Sequence, residues 1–287
     1  MTADQPQDPT QPVQTGGETQ AGDGVQVGGA RIDDETQATG GGMQIGGETQ
    51  AGDGAQIDRE TQADSGGMQI DSDTGSNAAQ RRILAAARRM YVKGLVEGTQ
   101  GNVSARLGDG NICITPSSVP YEDMTIEDLV IMDMNGDVLE GTQSPSSEKL
   151  LHLDCYRRFP DVKAVIHSHP IYASMFALAG KPIPAWMDEA IIYLGGDIQV
   201  SEYGMSGTPE MAANAATALE GRSAALLANH GMVAVGKSPD HAIEVTILVE
   251  KIARIVLGAT QLGSMQPLPE KTTTSLVDVY LLMRSMW

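Results

Sequence analysis

Short apolar runs alternate with longer helical stretches through residues 77–287, and this pattern predicts an α/β domain. Helices are predicted where apolar residues recur at helical spacing between start and stop residues, at 77–94, 144–159, 171–180, 208–220 and 238–263. Strands are predicted where short apolar runs end at turn residues, at 102–107, 111–116, 126–134, 138–140, 162–169, 224–228 and 231–236. Residues 181–197 are expected to cross to a further strand, and residues 272–287 to dock on a neighbouring subunit.

Residues 1–76 lack this pattern and are repetitive. GGETQAGDG occurs at 16–24 and again at 46–54, and ETQA begins at Glu18, Glu35, Glu48 and Glu60. Such a Gly, Gln, Thr and Asp composition without aromatic residues buries too little apolar surface to offset chain entropy, so we expect a disordered tail. A short glycine-rich β-solenoid is the alternative that the repeats raise. The predicted organisation is a tail, 1–76, followed by a folded domain, 77–287.

The net charge of −18 lies mostly in this tail, because residues 1–77 contain 14 acidic and 2 basic residues and leave −6 for the rest. The chain shows no basic cluster with interleaved aromatic residues and no apolar stretch long enough to span a membrane. No signal peptide is expected, because no basic residue precedes Arg31 and no apolar h-region follows. Cys113 and Cys155 lie in apolar runs and are expected to be reduced core thiols. We expect a soluble cytoplasmic protein that binds neither nucleic acid nor membrane.

Three histidines at predicted strand ends are candidate metal ligands. His167 and His169 end an apolar run, and residues two apart in a strand point to the same side. His230 follows the apolar run 224–228 and precedes a glycine. Three imidazoles that leave one position open are typical of a catalytic zinc rather than a structural one. Two structural histidines would give the same His-Ser-His pattern, so the third histidine and Glu148 are what favour a metal site.

Glu148 is the candidate catalytic carboxylate, although an ordinary first-turn or capping acid would give the same pattern. It follows Ser146 and Ser147, which are expected to cap a helix whose N-terminus suits a phosphate group. His152, on the same predicted helix, is interpreted as a surface or core histidine rather than a ligand. His241 is expected to be exposed.

Two further loops could approach a ligand. The glycine turn at 98–101 lets the backbone come close, and Asn102 after it is available for hydrogen bonding. Ser117 and Ser118 form a small hydroxyl loop after a predicted strand.

Five motifs stand in one order at consistent spacing: GTQGNVS, ITPSSVPYE, PSSE, HSHP and ANHG. Together they resemble the class II aldolase/adducin family over about residues 77–268, most closely its L-fuculose-1-phosphate aldolase branch. The resemblance implies a three-layer α/β/α domain with a mostly antiparallel central sheet, and a homotetramer with active sites between subunits. It also implies zinc-dependent, reversible cleavage of a sugar 1-phosphate to dihydroxyacetone phosphate and an aldehyde through a metal-stabilised enediolate.

The resemblance also assigns roles to residues. It implies that His167, His169 and His230 hold zinc, and that Glu148 both approaches the metal and serves as the base. It implies that the substrate phosphate is bound by Gly101, Asn102, Ser117, Ser118, Ser146 and Ser147.

The sequence departs from the family on the aldehyde side of the site. The tyrosine that follows the IPA motif in the aldolase branch, and protonates the leaving aldehyde in a neighbouring site, is missing from IPAWMDEAIIYLGG. The candidate acids from a neighbouring subunit are therefore Asp188, Glu189, Tyr193 and Tyr280, which leaves the identity of the sugar open.

Other functions exist on the same scaffold. An L-ribulose-5-phosphate 4-epimerase uses the same zinc and enediolate but usually carries Asp at the position of Glu148, so the sequence favours an aldolase. Decarboxylase and dehydratase members remain alternatives. Adducin-like interaction modules lack the zinc ligands, and the presence of all three histidines with Glu148 argues against that interpretation.

Overall fold

The computed structural model describes residues 75–287. The predicted tail lies outside this part of the chain, apart from Gly75 and Ser76, which begin the first helix. The helices are α1 Gly75–Val92, α2 Lys149–Arg158, α3 Ile171–Ala179, α4 Asp188–Leu194, α5 Pro209–Ala218, α6 Pro239–Leu262 and α7 Glu270–Arg284, with a 3-10 turn at Ile126–Asp128. The strands are β1 Asn102–Arg106, β2 Ile112–Ile114, β3 Val130–Met132, β4 Val138–Glu140, β5 Ala164–Ser168, β6 Ala224–Leu227 and β7 Gly231–Gly236.

The strands form one seven-stranded sheet in the order β4-β3-β2-β1-β5-β7-β6. Each neighbouring pair is antiparallel, so the predicted antiparallel character of the sheet is confirmed. The strand β5 lies between β1 and β7, where His167 is opposite Asn102 on one side and Val233 on the other. This register places the first candidate metal ligand in the middle of the sheet.

Helices cover both faces of the sheet, which confirms the predicted three-layer α/β/α architecture. Successive residues of β5 enter different cores, because side chains alternate between the faces of a strand. Val165 packs with Leu151 and Tyr156 of α2, together with α5. Ile166 packs on the opposite face with Ile83 of α1 and Ile243 of α6.

Three local predictions were wrong. Residues 126–128, predicted to begin a strand, form the 3-10 turn, and β3 covers only Val130–Met132. Residues 181–197 contain the helix α4 and an isolated bridge between Ile183 and Ile198, instead of leading to a further strand. The helix α2 begins at Lys149 with Glu148, rather than Ser146 or Ser147, as its N-cap, and the Ser146 hydroxyl accepts a hydrogen bond from the Glu148 N–H at 3.2 Å. The serine segment is instead held in extended form against β2, since the Ser146 N–H donates to the Thr115 carbonyl at 3.2 Å.

The C-terminal residues pack on their own chain, and their docking on a neighbouring subunit stays a prediction. Tyr280 of α7 is buried, and the Arg284 guanidinium contacts the Asp161 carboxylate at 2.8 Å. The Trp287 ring lies 5.0 Å from the ring of His241, so His241 is half-buried and its predicted exposure is wrong.

The structure also describes the two cysteines and the lengths of the helices. Cys113 and Cys155 are buried free thiols, as predicted, and burial raises the pKa of Cys113 to about 12. Among the helices of residues 75–287, none has both the length and the apolar character needed to cross a bilayer.

Candidate active site

His167 is fully buried near the end of β5, and a hydrogen bond to a backbone carbonyl determines which of its ring nitrogens carries the proton. Its ring Nδ1 lies 2.9 Å from the carbonyl oxygen of Met232 on β7. Since a carbonyl oxygen can only accept a hydrogen bond, Nδ1 must carry the proton and donate. In the neutral ring the lone pair is therefore on Nε2, which is the usual arrangement of an imidazole that binds a metal.

His169 and His230 bring their rings to the same point from two different loops. His169 lies just beyond β5, where its backbone N–H donates to the Leu95 carbonyl at 2.9 Å. His230 lies in the β6–β7 turn, next to Asn229, whose φ of 57° is in the left-handed region. The ring centroids of the three histidines are 4.7 to 4.8 Å apart. Within the described residues these three could hold one metal ion, because their candidate ligand atoms all lie within 4.8 Å of one another.

Two glycines allow this close approach. Gly231, directly after His230, lies so near β5 that a Cβ there would be 2.5 Å from the Ser168 carbonyl oxygen and 2.8 Å from Cδ2 of His169. Gly101 has a φ of 74°, and a Cβ there would lie 2.7 Å from the His167 carbonyl oxygen. Both positions therefore exclude larger residues, and the glycines of GTQGNVS and ANHG have a physical reason.

Glu148 faces the three histidines from the N-cap of α2 and is only 7% exposed. Its Oε2 lies 3.2 Å from Nε2 of His167, and its Oε1 lies 3.5 Å from Nε2 of His230. Asn102 donates from Nδ2 to Oε2 at 3.0 Å, and Ser206 donates from Oγ to Oε1 at 2.7 Å. The carboxylate is therefore held on both oxygens.

The electrostatics of this cluster fit a bound cation. Burial alone would raise the pKa of Glu148, but the hydrogen bond and charge of His167, followed by the Ser206 hydroxyl and the charge of His230, hold it well below its ordinary value. Burial, followed by the charge of His167, lowers the pKa of His169 to about 3 and also lowers that of His230. The site thus combines an ionised carboxylate with the imidazoles of His169 and His230, whose lowered pKa values favour the neutral form that ligates a metal.

The short contact between the rings of His169 and His167 also fits a bound cation. Nε2 of His169 lies 2.8 Å from Nε2 of His167, whose lone pair faces both this nitrogen and the carboxylate. Lone pairs that converge at such distances repel one another unless a proton or a metal cation lies between them. Three imidazoles and one carboxylate are a donor set that suits a divalent transition metal.

The candidate metal ligands open onto a cavity of about 270 Å³. Its lining includes Glu148, His169 and His230 and all of the predicted phosphate-binding residues: Gly101, Asn102, Ser117, Ser118, Ser146 and Ser147. Three loops from distant parts of the chain thus meet beside the candidate metal ligands. Tyr121 holds the glycine loop in place, because its hydroxyl donates to the carbonyls of Gln100 and Gly101 at 2.9 and 2.7 Å.

Sequence reasoning missed one residue of this site and understated another. Ser206 lies in the loop that leads into α5, and no catalytic residue type or spacing marked it. Asn102 is expected to bind phosphate, but in the structure its side chain is occupied by Glu148 and by His152, whose Nε2 lies 2.5 Å from Oδ1. His152 is fully buried and hydrogen-bonded, in line with its interpretation as a core histidine.

The four candidate acids for the aldehyde side lie away from this cavity within one chain. Glu189 pairs with Lys251 at 2.8 Å and, together with Tyr193, lines a separate cavity of about 410 Å³. Asp188 begins α4 beside them. The hydroxyl of buried Tyr280 is hydrogen-bonded to Ser223 at 3.1 Å and accepts from Arg284 at 2.8 Å. Tyr280 is therefore the candidate least able to reach another subunit.

Three histidines, one buried and two half-buried, lie beside a carboxylate on an antiparallel sheet covered by helices, an arrangement typical of a metal-assisted enzyme of the α/β/α class. The profile of the family "Class II Aldolase and Adducin N-terminal domain" matches residues 81–257. The chain belongs to the class II aldolase and adducin family, and it is a class II aldolase, a lyase.

Three relatives illustrate the match. The chain is 39% identical over 196 residues, 68% of its length and 88% of the relative's, to the 5-methylthioribulose-1-phosphate/5-deoxyribulose-1-phosphate aldolase of Rhodospirillum rubrum. It is 36% identical over 193 residues, 67% of its length and 88% of the relative's, to an L-fuculose phosphate aldolase of Escherichia coli O6:H1. A solved structure of an L-fuculose 1-phosphate aldolase aligns with a TM-score of 0.69 and 34% identity, covering 73% of this chain and 99% of that one.

Proposed function

We propose that this chain is a zinc-dependent aldolase that reversibly cleaves a ketose 1-phosphate to dihydroxyacetone phosphate and an aldehyde. The observation that carries the proposal is the position of His169, His230 and Glu148, with His167 buried directly behind them, at one wall of the cavity lined by the serine and glycine loops. The candidate metal ligands therefore lie beside a polar recess, as cleavage of a ketose 1-phosphate requires, because the ketone that a metal would polarise is next to the phosphorylated carbon. The names of the relatives, which are aldolases of sugar 1-phosphates, support the same substrate class.

The three histidines fit zinc, because a catalytic zinc takes three protein ligands and keeps the fourth position for substrate or water. Glu148 approaches the metal beside that position. When bound, the cation would supply Lewis-acid stabilisation of the negative charge that develops on the substrate oxygens. The Met232 carbonyl orients one ligand before a metal binds, because its hydrogen bond holds the His167 ring with Nε2 directed at the site.

Glu148 is assigned as the base. Its pKa lies below the ordinary value, so the carboxylate is ionised at neutral pH and can accept the proton from the carbon next to the ketone. Asn102 and Ser206 hold its two oxygens, which limits the directions in which it can face the substrate. Orientation of this kind contributes to rate because the reacting atoms then start close to the geometry of the transition state.

The phosphate is assigned to the hydroxyls and amides of Ser117, Ser118, Ser146 and Ser147, with the Gly101–Asn102 turn. Of these, Asn102 donates one amide hydrogen to Glu148, so its side chain has only the second amide hydrogen left for the phosphate. Small hydroxyl side chains and free backbone amides are suited to a dianionic group without a large permanent positive charge.

We further propose a homotetramer in which a neighbouring subunit completes the aldehyde side. Asp188, Glu189, Tyr193 and Tyr280 are absent from the lining of the histidine cavity of their own chain. Another subunit would then supply the acid that protonates the leaving aldehyde. Because Tyr280 is buried, it is the weakest of the four candidates. A cytoplasmic location agrees with the two unpaired buried thiols, Cys113 and Cys155, since reduced cysteines are typical of reducing compartments.

The proposal is tested by incubating the zinc-loaded protein with a panel of phosphorylated sugars and measuring the release of dihydroxyacetone phosphate. The panel contains 5-methylthioribulose 1-phosphate, 5-deoxyribulose 1-phosphate, L-fuculose 1-phosphate and, for the epimerase alternative, L-ribulose 5-phosphate. We expect release from at least one 1-phosphate, abolished by chelation and restored by zinc. Epimerisation of L-ribulose 5-phosphate without any release of the triose phosphate would contradict the proposal.

A further inference from the structure

A continuous row of buried polar side chains leads from the core of the domain to Glu148. Tyr156 Oη lies 2.7 Å from Ser104 Oγ, and Ser104 Oγ lies 2.6 Å from Nδ1 of His152. On the other side of the ring, Nε2 of His152 lies 2.5 Å from Oδ1 of Asn102, whose Nδ2 donates to Glu148 at 3.0 Å. We call these four residues, Tyr156, Ser104, His152 and Asn102, the relay. None of them is more than 2% exposed.

The spacing of the residues along two elements produces this row. Asn102 and Ser104 are two apart on β1 and therefore lie on one face of the strand. Glu148, His152 and Tyr156 are four apart at the start of α2 and along it, and therefore lie on one stripe of the helix. Where α2 packs across β1, the side chains from the two elements alternate.

The hydrogen atoms of the relay can be assigned from its end at Glu148. The ionised carboxylate only accepts, so Asn102 must present its nitrogen to Glu148 and its oxygen to His152. That oxygen also only accepts, so His152 must carry its proton on Nε2. Burial, followed by the charge of His167, lowers the pKa of His152 to about 3, so the ring is neutral and its Nδ1 has no proton.

The rest of the direction follows from this tautomer. Nδ1 of His152 accepts, so the Ser104 hydroxyl must donate to it. The Ser104 oxygen then accepts from the Tyr156 hydroxyl. Every donor in the row therefore points towards Glu148, and reversing any one of them would place two acceptors or two donors against each other in a buried site.

We propose that Tyr156, Ser104 and His152 are positioning residues that keep the Asn102 amide turned with its nitrogen towards Glu148, and so keep this carboxylate in the orientation from which it accepts the substrate proton. The inference rests on the proposed function of Glu148 as the base. Without a donor at the position of His152 Nε2, the amide could rotate and bring its oxygen against the carboxylate, an arrangement that repels.

Two substitutions separate positioning from simple packing. His152→Leu removes both hydrogen bonds of the ring, whereas His152→Gln offers an acceptor and a donor about as far apart as the two ring nitrogens. Tyr156→Phe is a milder variant that removes only the first donor of the relay. All are compared with the wild type as zinc-loaded enzyme, with bound metal and the midpoint of thermal unfolding measured alongside.

Two measurements test the proposal. The first is the rate of solvent hydrogen exchange into dihydroxyacetone phosphate. We expect His152→Leu to lower kcat for exchange by about 10- to 100-fold with little change in KM or bound zinc, as is typical for loss of an outer-shell partner, and His152→Gln to recover most of it. Equal losses in both variants that follow their unfolding midpoints, or a loss that falls on KM alone, would overturn the proposal.

The second measurement is a neutron diffraction map of the zinc-loaded wild type, which needs no activity. We expect deuterium on Nε2 of His152 and none on Nδ1, with the Ser104 hydroxyl directed at Nδ1. Deuterium on Nδ1 would overturn the assigned direction of the relay. A wild type that catalyses no exchange would count against the proposed base, while the neutron map would still decide the arrangement of the relay.

Discussion

Nε2 of His167 lies 3.2 Å from Oε2 of Glu148, although one residue is carried by the central strand β5 and the other by the N-cap of α2. The opposite ring nitrogen of His167 donates to the Met232 carbonyl, so the nitrogen that faces the carboxylate is the one available to a metal. The contact therefore joins the most buried candidate ligand to the candidate base. Both side chains are expected to face the same cation.

Replacement of one histidine should remove the metal and the activity together. We expect His169→Ala to lower bound zinc well below one ion per chain and to abolish measurable release of dihydroxyacetone phosphate, because a divalent ion would then lose one of three nitrogen ligands. Zinc content by mass spectrometry and the release assay measure the two effects. His241→Ala is the matched control, since His241 contacts Trp287 away from the cluster. Full zinc occupancy in His169→Ala would refute the ligand assignment.

Glu148→Gln should separate metal binding from proton transfer. The amide keeps the size of the side chain and leaves the three histidines in place, but it cannot take up the substrate proton. We expect bound zinc close to the wild-type content and a loss of solvent hydrogen exchange into dihydroxyacetone phosphate of about 100-fold or more, since general acid–base catalysis contributes about 10²–10⁴-fold. Unchanged exchange in this variant would remove Glu148 from the role of base.

The buried His152 ring predicts a loss of stability in acid. Its pKa in the folded protein is about 3, below the ordinary value of 6.5, so between these values the unfolded chain binds a proton that the folded chain does not. The free energy of unfolding should therefore fall as the pH is lowered from about 6.5 towards 3. Urea unfolding at a series of pH values should show a shallower dependence for His152→Gln than for the wild type. Identical slopes would contradict the prediction.

Removal of residues 1–74 should leave the catalytic domain intact. The family match begins at residue 81, and the first helix, α1, begins at Gly75. We expect the shortened protein to keep its zinc content, its rate of triose phosphate release and a thermal midpoint within a few degrees of the full chain. A large drop in that midpoint would show that the repetitive segment stabilises the domain.

Most residues of the candidate site follow a local signal in the sequence. His167, His169 and His230 stand where apolar runs stop, and the serine pairs stand in short polar loops beside them. The fold followed from the same runs together with the order of five motifs. These signals are local, so they can be recognised without knowing how the helices and strands pack.

What could not be predicted depends on packing between elements. Ser206 reaches Glu148 only because its loop folds over the cavity, and nothing in its neighbourhood marks it as functional. The N-cap of α2 was assigned to a serine because serine is the usual cap, whereas Glu148 occupies that position and its carboxylate contacts His167 and His230. The relay forms only because the side chains two residues apart on β1 face the side chains four residues apart on α2. The sequence does not show that these two elements pack against each other.

The most direct test of the metal centre is anomalous X-ray diffraction from crystals of the zinc-loaded protein, recorded above and below the zinc absorption edge. We expect one peak per chain at about 2 Å from a ring nitrogen of each of His167, His169 and His230, with the Glu148 carboxylate beside it. The absence of a peak among the three rings, or a peak held elsewhere in the domain, would contradict the account of this protein as a metal-dependent aldolase acting through this site.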